Sequence, residues 1–398
     1  MKFTKLFSKK EKENINDLPK GEELAAKGAE EQKEPKPIRL GWGWKSIYIL
    51  AGVSLLIYIT AIFSPAFADF FNRYPAAAFR ALLAYITYIL PFSLAETVLI
   101  LLIPAAVFII IYACRHYCDS WRNVLIFGAK VLSAVCLLFS MFVWTLGTGY
   151  RTTELDEKLG LSDQKITAES LKETSELIID RLNELVSDVE FGEDGFSVMP
   201  YSRGEMNKKL MDAYSRLCDK YSFVPRLYSR VKPVMLSELM SYTHITGIYT
   251  YFTGESNINI AFPSFTIPFT AAHELAHQRG FAREDEANFI AFLVCLESDD
   301  PYIRYSGYSN MISYLLDAYY RADKSEGHTD YKELYAKINK SVRIEDRAYY
   351  DFFQKYADNI VADISGAVND AYLQIQGTEG TVSYGLVVEL AVKYYSEN

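Results

Sequence analysis

Three long runs without a charged residue constrain this chain more than any other feature of its sequence. They cover residues 46–68, 97–114 and 131–150, which is 23, 18 and 20 positions. A helix of ~20 apolar residues is long enough to cross the hydrocarbon core of a bilayer. Tryptophan and tyrosine stand near several of the ends, as is usual at membrane interfaces. The sequence therefore predicts three transmembrane helices and a lipid bilayer as one partner.

A shorter uncharged stretch, residues 81–95, precedes the second run and contains Pro91. It is too short to span a bilayer, so we expect a helix at the membrane interface, with a re-entrant segment as the alternative. Residues 1–45 are rich in Lys and Glu and hold almost no apolar cluster before Trp42. Such a segment cannot bury a core, which predicts a disordered tail.

The distribution of positive charge predicts the orientation in the membrane. The tail carries 11 Lys/Arg and the connection 115–122 two more, whereas the loop between the first two runs holds only Arg73 and Arg80. Positive charge favours the cytoplasmic side, so the N-terminus is expected in the cytoplasm and residues 151–398 outside it. The domain limits predicted in this way are 1–45 for the cytoplasmic tail, 46–150 for the membrane region and 151–398 for an extracytoplasmic domain.

Charge also excludes one class of partner. Residues 1–150 have a net charge of +5 and residues 151–398 a net charge of −14. Because phosphate binding requires a basic surface, nucleic acid is not expected as a ligand. The five cysteines have no CxxC spacing; free thiols are favoured, with a Cys218–Cys295 disulfide as the alternative.

Residues 151–398 alternate apolar and polar residues mostly at helical spacing. The pattern predicts helices over residues 165–187, 204–221, 265–279, 284–297, 304–322 and 346–372. Residues 245–260 are rich in β-branched and aromatic side chains around Gly254, which favours two short strands joined by a turn. The predicted fold class is mainly α, with three transmembrane helices followed by an α+β domain that contains a small sheet.

The stretch 271–291, AAHELAHQRGFAREDEANFIA, carries the pattern HExxH. His273 and His277 are one helical turn apart, so both imidazoles project from one face and can bind one metal ion. Imidazole ligands suit zinc, which lowers the pKa of a bound water to ~7. Glu274 then stands where a general base would accept the proton of that water. The alternative is a helix with two histidines that have no common function.

A second helix is expected to begin near Glu284 and to supply the third ligand. Glu284 and Asn288 share one face of that helix, which favours Glu284 as ligand and Asn288 as a hydrogen-bond acceptor for one histidine. Glu286 is the rival candidate. It lies about 200° around the helix from Glu284, so only one of the two can face the metal. A third reading is that the acidic residues only stabilise the N-terminus of the helix.

HELAH followed by EDEANFIA resembles the gluzincin pattern of zinc peptidases, and it is similar to zinc peptidases that cleave antitoxins. The stretch Gly254, Glu255, Asn257 and Asn259 followed by HELAHQRGF also resembles an uncharacterised family of bacterial three-pass membrane proteins, over nearly the whole chain. The resemblance implies a zincin-like fold for residues 151–398 and a place in the bacterial cell membrane. Asn288 stands where many gluzincins have Asp, which implies a more weakly oriented histidine.

Together these features predict a membrane-anchored zinc metallopeptidase that hydrolyses peptide bonds of a peptide or protein substrate. The predicted site has His273, His277 and Glu284 as metal ligands and Glu274 as general base. A strand within 245–252 or 257–261 is a candidate for pairing with the substrate backbone, with an ordinary hairpin that supports the helix as an equal alternative. Two alternatives remain: a zinc-stabilised membrane sensor or scaffold without activity, and a hydrolase of other cell-envelope amides. The sequence selects no oxyanion stabiliser among its 30 tyrosines.

Overall fold

The computed structural model describes residues 39–325, 330–357, 359–376 and 384–397. Most of the predicted tail, residues 1–38, therefore lies outside the described residues. The helices found within the described residues are α1 (Trp42–Phe63), α2 (Pro65–Phe71), α3 (Ala77–Tyr88), α4 (Leu94–His116), α5 (Trp121–Thr145), α6 (Leu155–Leu159), α7 (Ala168–Leu185), α8 (Arg203–Lys220), α9 (Ser237–Ser241), α10 (Ile267–Arg279), α11 (Glu284–Leu296), α12 (Pro301–Ser325), α13 (Tyr331–Ala336), α14 (Lys340–Lys355), α15 (Ile360–Ile375) and α16 (Tyr384–Glu397).

Helices α1, α4 and α5 are long and apolar enough to cross a membrane, which confirms the predicted membrane helices. Their side chains face outward almost everywhere, as expected of surfaces that meet lipid. Helix α1 ends at Phe63, before residue 68, because Pro65 cannot continue the hydrogen-bond ladder. Helix α4 begins at Leu94, where Ser93 accepts a hydrogen bond from the Glu96 N–H as N-cap.

The segment between the first two membrane helices is folded rather than extended. Helices α2 and α3 are joined by a π-helical turn, Asn72–Ala76, which contains Pro75. The interfacial helix predicted over residues 81–95 ends at Tyr88, and Pro91 lies in the turn before α4. Arg80 of α3 is almost completely buried. A buried guanidinium requires several acceptors, and these come from other parts of the chain, as described below.

The domain after α5 is built mainly of helices, as predicted. Helix α10 lies at its centre and is buried on nearly every side, with α11 and α12 packed against it. The helix predicted over 346–372 was wrong as a single element. It is interrupted between α14 and α15, where Asn359 caps α15 by accepting a hydrogen bond from the Ala362 N–H. All five cysteines are free, so the alternative of a Cys218–Cys295 disulfide was wrong.

A three-stranded sheet stands beside α10. The strands β1 (Val231–Pro233), β2 (Gly247–Thr250) and β3 (Glu255–Ile258) lie in the order β1-β3-β2. The antiparallel pair β2–β3 is the predicted hairpin. The parallel pair β1–β3 was missed, because three residues are too few to show a strand pattern. Gly254 has φ 70° in the hairpin, and a Cβ there would lie 2.5 Å from Leu83 Cβ, so only glycine fits.

Candidate metal centre

Helix α10 presents the two histidines of the HExxH pattern on one face. The rings of His273 and His277 lie with their centroids 4.6 Å apart. The helix ends just beyond them at Gly280, whose φ of 99° is left-handed and whose N–H donates to the His277 carbonyl at 2.9 Å. Glycine at this position reverses the chain at once. The reversal brings the start of α11 back alongside the histidines.

Glu284 is the first residue of α11 and faces both imidazoles. Its carboxylate oxygens lie 3.2 Å from His273 Nε2 and 3.5 Å from His277 Nε2. One ligand atom from each of the three residues lies within 4.8 Å of the others. A third of the Glu284 side-chain surface remains accessible. The structure therefore brings together the three predicted ligands, and it leaves one side of the cluster open.

The imidazole of His277 is held in one orientation by the backbone. Its Nδ1 lies 2.7 Å from the Phe281 carbonyl oxygen, so Nδ1 carries the proton and Nε2 faces Glu284. The Asn288 side chain lies beside His273, on the same face of α11 as Glu284. The Nδ1 atom of His273 is buried and has no hydrogen-bond partner among the described residues.

The charges of the cluster reinforce one another without a metal. Burial alone would raise the pKa of the Glu284 carboxyl, but attraction by His277 and hydrogen bonds from both imidazoles hold that pKa well below its usual value. Burial lowers the pKa of His277, yet the charge and hydrogen bond of Glu284 outweigh burial and raise it to about 9. Burial and repulsion by His277 lower the pKa of His273. At neutral pH these pKa shifts favour an ionised Glu284, a protonated His277 and a neutral His273.

The Glu274 carboxylate lies against β2, at the edge of the sheet. It occupies the space beside Gly247, where a Cβ would lie 2.5 Å from Oε1, and the backbone N–H of Tyr249 donates to it. Burial raises the pKa of Glu274 to about 8. Its Oε2 atom is buried without a hydrogen-bond partner among the described residues. A buried carboxylate oxygen with no partner is available to accept a proton or a hydrogen bond.

The other acidic residues of α11 are turned elsewhere. Glu286, the rival third ligand, is buried and forms an ion pair with Arg283. Arg283 also lies 3.7 Å from Glu154, before α6. Burial raises the pKa of Asp285 to about 6, with repulsion by Glu286 as the next cause. Of these carboxylates, only that of Glu284 contacts both histidines.

Two tyrosines that sequence reasoning did not connect meet next to this cluster. The hydroxyls of Tyr150 and Tyr372 lie 3.0 Å apart. Burial raises the pKa of both phenols, and the nearby charge of Glu284 raises each further. Tyr150 follows the third membrane helix and Tyr372 belongs to α15, more than two hundred positions along the chain. No pattern in the sequence pairs residues so far apart.

The turn after α10 is held by residues between the first two membrane helices. Buried Arg80 of α3 donates to the carbonyls of Arg279 at 3.1 Å and Thr145 at 2.7 Å, at the ends of α10 and α5. Asn72 donates to the Gly280 carbonyl at 3.1 Å. A Cβ at Gly280 would lie 2.5 Å from the Arg80 guanidinium. The site and the ends of the membrane helices are therefore parts of one packed structure.

A buried ion pair connects the sheet to the second membrane helix in the same way. Lys232 of β1 and Glu255 of β3 are both almost fully buried and lie 2.5 Å apart. Glu255 also accepts from the N–H groups of Leu94 and Ala95, the first residues of α4, at 3.1 and 2.8 Å. A carboxylate at this position offsets the positive end of the helix dipole. Glu255 thereby fixes α4 against the strand that lies beside α10.

The residues present fit a zinc ion by the chemistry of their donors. Two imidazole nitrogens and one carboxylate are a usual zinc set that leaves a further position open. The carbonyl behind His277 and the amide beside His273 are the neighbours that such ligands normally have. The unpartnered oxygen of Glu274 adds an acceptor next to the set without belonging to it.

Comparison with known proteins identifies a family that matches the chain, and the description of this family names no activity. The sequence profile of the family described as "Protein of unknown function (DUF3810)" matches residues 72–392. That range includes the second and third membrane helices and the cluster of His273, His277 and Glu284. No curated protein and no solved structure matches the chain.

Proposed function

The chain belongs to the DUF3810 family, and from its metal centre we propose that it is a membrane-anchored zinc peptidase. The observation that carries the proposal is the joint placement of His273, His277 and Glu284 around one point, with the free oxygen of Glu274 beside them. A purely structural zinc site needs no acceptor in that position and is closed by a fourth protein ligand. The arrangement therefore favours catalysis over a scaffold.

His273, His277 and Glu284 would hold the metal through two Nε2 atoms and a carboxylate. Zinc, when bound, supplies a water molecule acidic enough to attack a carbonyl near neutral pH and polarises that carbonyl. Glu274 accepts the proton at its free Oε2 and delivers it to the leaving amine. The positive charge of bound zinc would lower the pKa of Glu274 from about 8 and leave the carboxylate ionised, ready to accept that proton.

The substrate is expected to bind as an extended chain along β2. This strand forms one edge of the sheet, and Gly247 and Tyr249 place its backbone directly against Glu274. The alternative segment 257–261 begins within β3, which lies between β1 and β2 and has no free edge. Edge strands offer unpaired N–H and C=O groups to an extended peptide. Pairing on β2 would hold a peptide bond next to the general base.

The phenols of Tyr150 and Tyr372 are the donors we assign to the oxyanion that forms during attack. Both lie near Glu284 and hydrogen-bond each other. Their raised pKa values keep them protonated and able to donate at neutral pH. A positioned donor of this kind contributes about 10²–10³ in rate.

The proposed place of the reaction is outside the cytoplasm, close to the membrane. Contacts of Arg80 and Asn72 with the turn after α10 support a common side of the membrane for the segment between the first two membrane helices and the domain after α5. The excess of positive charge in residues 1–45 assigns the opposite side to the cytoplasm. Protease added to intact spheroplasts should digest the metal domain. Digestion only after lysis would reverse the orientation and leave the chemistry unaffected.

Activity is tested with the full chain in detergent, loaded with zinc and incubated with a random-sequence peptide library read by mass spectrometry. Wild type should cleave peptides. Glu274→Gln should cleave them about 10²–10⁴-fold more slowly while it still binds one zinc per chain. Glu176→Gln, a matched change on the exposed surface of α7, should cleave as wild type does. Equal cleavage by Glu274→Gln and wild type would refute the role of Glu274. A wild type that binds zinc and cleaves no peptide would refute the peptidase.

A further inference from the structure

Helix α15 has an exposed apolar face that neither the fold nor the proposed reaction uses. Five large apolar side chains on this helix are between 46% and 74% exposed: Ile360, Val361, Ile364, Val368 and Ile375. At about 100° per residue they fall within one arc of about 100°. Ala371 lies within this arc, and Ala367 extends it by about 20°. An apolar face of this length is rarely left to water.

The other side of α15 contacts the protein. Leu373 is buried, and Tyr372 packs edge-on against Phe142 and Tyr150 at centroid distances of 6.2 and 6.0 Å. Gln376, just after the helix, accepts a hydrogen bond from Tyr58 at 2.8 Å. At about 100° per residue, Leu373 lies about 180° around the helix from Ile364, Gln376 about 120° and Tyr372 about 80°. The apolar arc therefore points away from the protein.

The C-terminal end of α15 lies at the ends of two membrane helices. Tyr58, the partner of Gln376, belongs to the last turns of α1. Phe142, the partner of Tyr372, belongs to the last turn of α5. Because α1 and α5 both run in the same direction through the bilayer, these ends share one face of the membrane.

The N-terminal end of α15 lies near the remaining membrane helix, α4, on the same face. Tyr356, three residues before the cap of α15, donates to Glu238 of α9 at 2.8 Å. The backbone N–H groups of Met235 and Leu236, just before α9, donate to Glu96 in the first turn of α4 at 2.9 and 2.8 Å. Both ends of α15 are thus connected, directly or through α9, to the ends of membrane helices.

We propose that α15 lies in the plane of the membrane surface, with its apolar arc inserted in the bilayer. Its partner is the lipid beside the ends of the three membrane helices, and its 16 residues cover about 24 Å. A second exposed apolar cluster continues the same surface: Met235, Leu236 and Leu239 are 82%, 46% and 62% exposed beside the start of α4. The inference does not depend on peptidase activity. One consequence for the site is that lipid contact fixes the helix that carries Tyr372.

The test uses single cysteines on α15 in the full chain, placed in lipid nanodiscs that hold one copy each. Ile364→Cys and Val368→Cys lie on the apolar arc, and the matched control Asp363→Cys lies beside it on the polar side. The accessible cysteines are first replaced by serine, and the buried ones are kept: Cys114, Cys118 and Cys136 are replaced, Cys218 and Cys295 are kept. One copy per disc excludes a second chain as the cover of the apolar arc.

Ile364→Cys and Val368→Cys should react with a membrane-impermeant maleimide about tenfold more slowly than Asp363→Cys. An apolar environment raises the pKa of a thiol, and a rise of one unit removes about 90% of the reactive thiolate. A fluorophore on either position should be quenched by nitroxide-labelled lipid chains, and one at Asp363→Cys much less. Equal labelling and equal quenching at all three positions would overturn the proposal. If the two cysteines on the apolar arc were protected from the maleimide only in discs that hold two or more chains, the arc would contact another copy of the chain. That result would also overturn the proposal.

Discussion

Zinc binding at pH 7 should release about two protons from the protein, one from His277 and one from Glu274. With a pKa of about 9, His277 is almost fully protonated at pH 7, and coordination requires its neutral form. With a pKa of about 8, Glu274 holds about 0.9 of a proton, which the positive charge of zinc displaces. Glu284 is already ionised, and the lowered pKa of His273 leaves that ring neutral, so neither contributes.

The direction of the pH dependence follows from this. Protons that leave on binding oppose binding at low pH, so the apparent affinity for zinc should rise with pH. Two released protons correspond to about 100-fold in affinity between pH 6 and pH 7, and the slope should decrease as pH approaches the pKa of Glu274. Without the pairing to Glu284, burial would keep His277 neutral, and its contribution to the slope would disappear.

The number of protons is measured by calorimetric titration of zinc into the full chain at pH 7 in two buffers of different ionisation enthalpy. Glu274→Gln should release about one proton fewer than wild type, whereas Glu176→Gln should release the same number. A metal-bound water adds up to about half a proton to every variant, so the difference between variants is the decisive quantity. An equal release by Glu274→Gln and wild type would refute the protonated Glu274. A total near zero in wild type would refute the ion pair between His277 and Glu284.

Two further predictions concern the connection between the site and the membrane helices. Glu255→Gln leaves Lys232 buried without a counter-charge and should lower the free energy of unfolding by about 3–5 kcal/mol. The control Glu176→Gln removes one partner of an exposed pair and should cost at most about 1 kcal/mol. Equal losses for the two variants in denaturant titrations in detergent would contradict the buried pair. Gly149→Ala places a Cβ 2.6 Å from the Gly280 carbonyl oxygen and should lower the free energy of unfolding by about 1–3 kcal/mol. In the control Gly128→Ala, the new Cβ meets no atom within 4 Å. Equal melting temperatures for the two variants would contradict the close packing at Gly149.

Local patterns were sufficient for several elements of the fold. Charge-free runs identified the membrane helices, and helical spacing identified α7, α8, α10, α11 and α12 to within a few residues, because each pattern reports burial along its own segment. The β2–β3 hairpin was visible for the same reason. The three-residue strand β1 and the break between α14 and α15 were not, since a short strand and a capping asparagine leave little periodic signal.

For the site, the sequence by itself determined that His273 and His277 share one face, because a helix repeats every 3.6 residues. The sequence left open whether Glu284 or Glu286 faces the histidines, since the rotation of a second helix about its axis depends on how it packs. Tertiary structure decided this: the reversal at Gly280 turns Glu284 toward the histidines and places Glu286 on Arg283. The meeting of Tyr150 with Tyr372 was likewise decided only by the fold. Contacts between residues hundreds of positions apart depend on the packing of whole elements, and no local pattern records them.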